Sequence, residues 1–287
     1  MYFTKLQGLG NDFVLIDARE PRGCDWADLA RKICRRRFGI GSDGLLLLLG
    51  SQTADFRMRM FNPDGSEAEA CGNGLRCLVR YIAANDLNQR DDLCIETMAG
   101  IRQAKLLGQG SQALIKVSMG KPSFRPEDIP IANEASKGSL FDIMIGDYPL
   151  TAEGRDLKLN FVSMGNPHAV HFTTDPVAEF PLAALGPQVE KAALFPRGVN
   201  LEVVRMSGPG RCEMRVWERG AGETLACGSG ACAAMVAARL HGLAGDNLEL
   251  KLPGGTAEVS WDGQGEVWLT GPAEIVFTGE WPDEPVA

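Results

Sequence analysis

The sequence predicts an α+β protein made of two pseudo-symmetric, duplicated domains, each a strand-rich mixed sheet wrapped around a central helix. Three observations predict it. The chain has 287 residues, about twice the length of a typical domain. Three landmarks recur in the same order at nearly one spacing. Short apolar runs bounded by turn residues far outnumber stretches with helical periodicity.

The repeat is the strongest of these. Residues 65–74 read GSEAEACGNG and residues 221–230 read AGETLACGSG, identical at five of ten positions with an offset of 156. The identities are Glu67/Glu223, Ala70/Ala226, Cys71/Cys227, Gly72/Gly228 and Gly74/Gly230. Gly10-Asn11 matches Gly165-Asn166 at an offset of 155, and Phe38 and Gly41 match Phe195 and Gly198 at 157. One copy is expected over residues 1–119, with a tail 272–287 returning to it, and the other over 120–271. Between them Gly120-Lys121-Pro122 breaks the pattern, and Ser123–Lys137, rich in Pro, Glu and Asp, reads as an insertion or linker.

In chain order, strands are expected at Phe13–Asp17, Gly44–Leu49, Phe56–Phe61, Leu114–Ser118, Asn200–Arg205, Cys212–Glu218 and Glu266–Thr270, with a last one over Ala273–Phe277. An amphipathic helix is expected over Cys24–Ile33. A second follows Cys71-Gly72-Asn73-Gly74, where Leu75, Leu78, Val79, Ile82 and Ala83 fall at helical spacing and Asn85-Asp86 ends it. A third, Ala231–Leu240, follows Cys227-Gly228-Ser229-Gly230 and is apolar on nearly every side, the mark of a buried helix.

Composition removes several function classes. Hydrophobic residues make up 45% and charged residues 23%, and no apolar run approaches 18 residues, so a membrane-spanning helix is excluded. A net charge of −8, with Arg35-Arg36-Arg37 as the one short basic run, argues against nucleic acid. Eight cysteines without an export signal imply free thiols in the cytoplasm. Three histidines and no Cys-x-x-Cys imply no metal.

Cys71 and Cys227 each stand at the start of a helix among glycines. Uncapped amide donors and the helix dipole there favour a thiolate, lowering its pKa from the free value of ~8.5. Gly72, Gly74, Gly228 and Gly230 let a ligand carboxylate approach the backbone amides. Two such sites, related by duplication and facing each other across an interdomain cleft, would invert a stereocentre. One thiolate removes the α-proton from one face, and the other thiol delivers a proton to the opposite face.

At these residues the chain resembles the diaminopimelate epimerases. The likeness lies in FNPDGSEAEACGNGLRC (61–77), WERGAGETLACGSGAC (217–232), LGNDFVLID (9–17), SMGNPHAV (163–170) and RGVNLE (197–202). It implies a cofactor-independent enzyme of lysine and peptidoglycan precursor biosynthesis that interconverts LL- and meso-diaminopimelate and works as a homodimer. It implies that Cys71 and Cys227 are the two acid/base residues, with Cys71 taking the proton from the LL substrate. Asn11, Asn62, Asn166, Asn200 and Arg219 would hold the distal amino-acid end. Glu218 would lie near the substrate amine, and His168 close to the site. Gly72-Asn73 and Gly228-Ser229 would supply amides to the reacting carboxylate. Some members carry glutamine where Gly44 stands, and residues 121–156 are longer than the compact form of the family.

Related proline and hydroxyproline racemases share the two-cysteine chemistry, but their substrates have no distal amino acid for the asparagines to hold. Phenazine-type isomerases lack the cysteine pair. A pyridoxal-phosphate racemase needs a Schiff-base lysine in a phosphate-binding context, and none of the nine lysines has one. A redox protein with a reversible Cys71–Cys227 disulfide is the alternative from another class.

Overall fold

A strand covered by helices on both faces has no polar side, which is why Leu45–Leu48 is an unbroken buried run. The computed structural model describes all residues except 21–22, 70, 111, 126, 133–138, 142–143 and 283–287. It divides into two units, residues 1–118 with 270–287, and residues 119–269.

In the first unit β1 (Tyr2–Gly8) and β2 (Asn11–Asp17) form a hairpin. Its turn is Leu9 and Gly10, at φ 56° and 82°. Positive φ strains a leucine, and burial of the Leu9 side chain holds it there. The turn delivers Asn11 to the first position of β2. β2 pairs parallel with β3 (Gly44–Leu49), and β3 antiparallel with β4 (Phe56–Phe61). β4 carries the short β5 (Glu67–Ala68) antiparallel and pairs parallel with β6 (Asp92–Thr97). β7 (Gly100–Leu107) and β8 (Leu114–Ser118) continue antiparallel. The chain's last strand, Glu274–Glu280, lies antiparallel on β1.

Two helices cover this sheet. α1 (Trp26–Ile33) begins where the Asp25 carboxylate accepts the Asp28 amide, so Cys24 lies outside the helix. It packs Leu29, Ala30 and Ile33 with Leu45 and Leu47. α2 (Gly72–Ala84) takes the other face, where Leu46 comes within 3.1 Å of the Cβ position of Gly74.

The second unit opens with a hairpin of β9 (Ser139–Phe141) and β10 (Met144–Gly146). Its main sheet holds β11 (Tyr148–Ala152), β12 (Arg155–Ser163), β13 (Pro167–Phe172), β14 (Asn200–Gly208), β15 (Arg211–Glu218), β16 (Gly222–Thr224), β17 (Asn247–Leu252) and β18 (Gly255–Ser260). Its pairings from β12 to β18 follow the same alternation of parallel and antiparallel partners as those from β1 to β7. The register repeats too: Phe13 stands beside Gly44 as His168 stands beside Asn200. Phe56 stands beside Ile95 as Cys212 stands beside Leu250. α3 (Leu182–Glu190) packs Leu182, Leu185 and Val189 with Leu201 and Val203, and α4 (Gly228–Leu240) takes the opposite face.

Three further departures from expectation bear on the core. α3 is absent from the sequence reading because Gly186 and Pro187 interrupt it. The glycine is required, since a Cβ there would meet the Trp217 ring at 2.4 Å. The strand expected at Glu266–Thr270 runs Trp268–Gly271. The described part of Ser123–Lys137 is not a loose linker: Ser123 bridges to Ser163, and Ile129 is buried in the core of the second unit. The remainder, 126 and 133–137, lies outside the described residues.

Candidate active site

Each cysteine is the N-cap of a 13-residue helix, α2 or α4. Cys71 sits at φ −143°, ψ 118°, and Cys227 at φ −115°, ψ 114°, the extended conformation a cap requires. Each sulfur accepts the amide of the second following glycine, Gly74 or Gly230, at 3.4 Å. The helical ladder begins only after these, at Leu75 to the Cys71 carbonyl and at Ala231 to the Cys227 carbonyl. The amides ahead of it, at Gly72-Asn73 and Gly228-Ser229, are the natural seat for an anion.

Beside Cys71 stands a line of side-chain amides backed by a cation. Asn11 Oδ1 lies 3.9 Å from Cys71 Sγ and accepts from Asn73 Nδ2 at 3.0 Å. Asn11 Nδ2 donates to Asp43 at 2.8 Å, which fixes the amide's orientation. The Arg76 guanidinium, fully buried, donates to Asn73 Oδ1 at 2.7 Å. Behind them Asp12 is bonded by Lys5 and Arg36. Burial opposes its ionisation, but the hydrogen bonds from Arg36 and Lys5 outweigh it and hold the carboxyl at about 2.

Around Cys227 the neighbours are carboxylates. Burial first, then Glu218 and Glu202, push its thiol well above the ordinary value. Burial likewise pushes the Glu218 carboxyl up, against hydrogen bonds with Thr224 and Cys227. This reverses the sequence-based expectation that the helix terminus lowers the thiol pKa. A helix dipole contributes up to ~2 kcal/mol, whereas full burial shifts a titration by as much as ~3–5 units, so burial wins. Ser229 Oγ lies 3.4 Å from the sulfur.

The second unit also holds a buried chain of polar side chains. Asn166 Oδ1 meets His168 Nε2 at 3.0 Å, and His168 Nδ1 meets Glu202 Oε1 at 2.7 Å. Asn200 donates to the Pro167 carbonyl at 2.9 Å and accepts the Arg219 amide at 2.8 Å. The exposed Arg219 side chain donates to the Arg197 carbonyl at 3.0 Å. Beside it a cavity of about 400 Å³ is lined by Gly165, Pro167, Arg197 and Arg219 among others. Among the described residues no group of three His, Cys, Asp or Glu is placed to hold a metal ion, and no helix is long and apolar enough to cross a membrane.

The family model for diaminopimelate epimerase matches residues 3–125 and 160–276. The chain belongs to that family. It is 44% identical over 281 residues to a diaminopimelate epimerase of Halothermothrix orenii, covering 97% of this chain and 96% of the relative. With that of Moorella thermoacetica it shares 45% over 285 residues, covering 98% and 99%. Among solved structures, one described as a probable proline racemase from Agrobacterium radiobacter K84 superposes with a TM-score of 0.72 at 15% identity. It covers 99% of this chain and 94% of its own, a likeness of fold.

The structure gathers the family's motif positions unevenly. Asn11 and Asn73 meet beside Cys71. Ser229 and Glu218 both reach Cys227. Asn166 is joined to His168, and Asn200 to Arg219. Asn62 instead closes its own turn, donating to Ser66 Oγ at 2.9 Å, with Gly65 at φ 86°. At Gly44 the backbone has closed up, since a Cβ would lie 3.0 Å from the Phe61 carbonyl oxygen. Sequence reasoning missed Arg76 and Glu202. Both were detectable from the repeat, because an offset of 156 sets Arg76 against Cys232 and Glu202 against Leu46.

Proposed function

We propose that this enzyme interconverts LL- and meso-diaminopimelate without a cofactor, one cysteine taking the α-proton of the substrate and the other returning a proton of its own to the opposite face. The observation that carries the reading is the pair of equivalent caps: two thiols, each at the mouth of a helix whose first amides are ready for a carboxylate. In the LL direction Cys71 acts as thiolate and takes the α-proton, forming S–H. The Cys227 thiol gives its proton to the opposite face of the carbanion and becomes the thiolate. The substrate carboxylate rests on the amides of Gly72-Asn73 and Gly228-Ser229, which stabilise the carbanion as it forms.

The distal amino acid, a zwitterion, needs amide partners and one guanidinium fork. Asn11, Asn62, Asn166 and Asn200 with Arg219 supply these, and Glu218 takes the amine. Asn200 serves chiefly by holding the Arg219 backbone. His168 supports the site from its bond to Asn166. The enzyme works in the cytoplasm as a homodimer. Sedimentation analysis tests the homodimer.

Solvent deuterium decides the reaction. With fully reduced enzyme in D₂O, LL-diaminopimelate acquires one deuterium at one α-carbon as the meso isomer forms. Absence of exchange with reduced thiols sinks the assignment, and a protein that only cycles a disulfide gives no turnover at all.

A further inference from the structure

Glu202 is fully buried, and so is His168, its partner. One carboxylate oxygen, Oε1, meets His168 Nδ1, while the other, Oε2, is buried with no hydrogen-bond partner. Burying a carboxylate with an orphaned oxygen is costly, and native structures rarely retain one without a use for it. The fold does not require it. In the first unit the same backbone, in the same register, carries Leu46 where the second carries Glu202, and Phe13 where the second carries His168. Leu46 lies against Gly74 as Glu202 lies against Gly230, whose Cβ position is only 2.7 Å from Glu202 Oε1.

That proximity puts the carboxylate at the first turn of α4, beside Gly230, whose amide Cys227 caps. A negative charge there occupies the positive end of the helix dipole, which would otherwise favour a thiolate. The groups facing Cys227 are Glu218 on β15, Glu202 on β14 and Ser229 on α4, with His168 on β13 next to Glu202 and near Glu218. Resting on the two-cysteine reading above, we propose that Glu202 is the positioning residue that reserves Cys227 as the proton donor. The first unit, with leucine in that place, leaves the dipole of α2 to the Cys71 thiolate. The two cysteines are thereby made chemically unlike before substrate arrives.

The test is Glu202→Gln, which keeps the shape and the His168 contact but removes the charge. The Cys227 thiol, followed by ¹³Cβ NMR, should titrate at least about one pH unit lower than in the wild type. The alkaline limb of the kcat/KM profile from the LL side should move down with it, with KM changed less than about threefold. The double variant His168→Phe/Glu202→Leu, which copies the first unit's pair, should fold cooperatively, melt no lower than the wild type and fail to epimerise. An unmoved Cys227 titration overturns the proposal, as does an alkaline limb that stays in place, or a double variant that no longer folds. If the wild type fails to exchange deuterium, the proposed reaction falls while the NMR titration still reads Glu202 on its own.

Discussion

The Cys71 and Cys227 half-sites share a backbone and differ in charge. Their helices start with the same cap geometry, the same sulfur–amide distance and the same flanking strand order. Yet one sulfur lies beside Asn11, which Asn73 and then the buried Arg76 back in a line of hydrogen bonds, and the other faces Glu218 and Glu202. Each difference is one substitution on the repeat: Leu46 to Glu202, Phe13 to His168, Asn62 to Glu218, Arg76 to Cys232. The cap places a sulfur, and the neighbouring strands decide its proton. The proposed reaction, which needs one thiolate and one thiol, would be served by duplicated positions with unlike surroundings.

The largest effect should come from the cysteines themselves. Cys71→Ala and Cys227→Ala should each lower kcat by about 10³-fold or more. A variant that keeps activity within tenfold would show its cysteine to be a bystander and break the pairing of the half-sites.

The repeat also carries matched ion pairs. Arg59 grips Glu67 at 2.7 and 2.8 Å, and Arg215 grips Glu223 at 2.8 and 3.0 Å. Only Arg215 also donates to the carbonyls of Val177 and Phe180, at 2.7 and 2.9 Å. Urea unfolding should therefore show Arg215→Met costing about 3 kcal/mol and Arg59→Met about 1 kcal/mol. Equal losses would mean that the extra carbonyl bonds contribute nothing.

Acid should find the first unit through Asp12. Its folded carboxyl titrates at about 2 against an ordinary 3.8. The stability this gives is present above pH 3.8 and is lost as pH falls toward 2. At 1.36 kcal/mol per unit it amounts to about 2 kcal/mol. The wild type should lose that much between pH 4 and pH 2 relative to Asp12→Asn, and parallel curves would contradict it.

The smallest contrast concerns the helix starts. A Cβ on Gly230 would press on the pinned Glu202 carboxylate at 2.7 Å, and one on Gly74 on a Leu46 methyl at 3.1 Å. Gly230→Ala should cost about 2 kcal/mol and Gly74→Ala about 1 kcal/mol in thermal melts. The reverse order would mean that the carboxylate is free to move aside.

Much of the fold was legible because its signals are short-range. The cysteine caps with their glycines, the apolar run of β3 and the periodicity of α2 each need only neighbouring residues. α3 was hidden because its Gly186 answers to Trp217, about thirty residues further on, and Pro187 masks the helical period. In β1 a lysine and a threonine stand among apolar residues and are buried with them, which only its partners reveal. By contrast β17, NLELKL, alternates strictly, and its buried face is readable from the sequence. Asn62 carries both a turn signal and a proposed binding role, and its Ser66 bond accounts for the turn. Glu202 stood in plain view within an expected strand. Its meaning appears only when alternation on β14 is seen to point Leu201 and Val203 toward α3 and Glu202 toward α4.

The amino-acid sequence by itself determined the duplication, the strand-and-helix order and the placing of a thiol at each helix start. These follow from local conformational preference and from a repeat that can be counted. Only the tertiary structure decided what surrounds those thiols. The field at a sulfur depends on burial and on charges brought in from other strands, and neither distance nor desolvation is written in the spacing of residues along the chain.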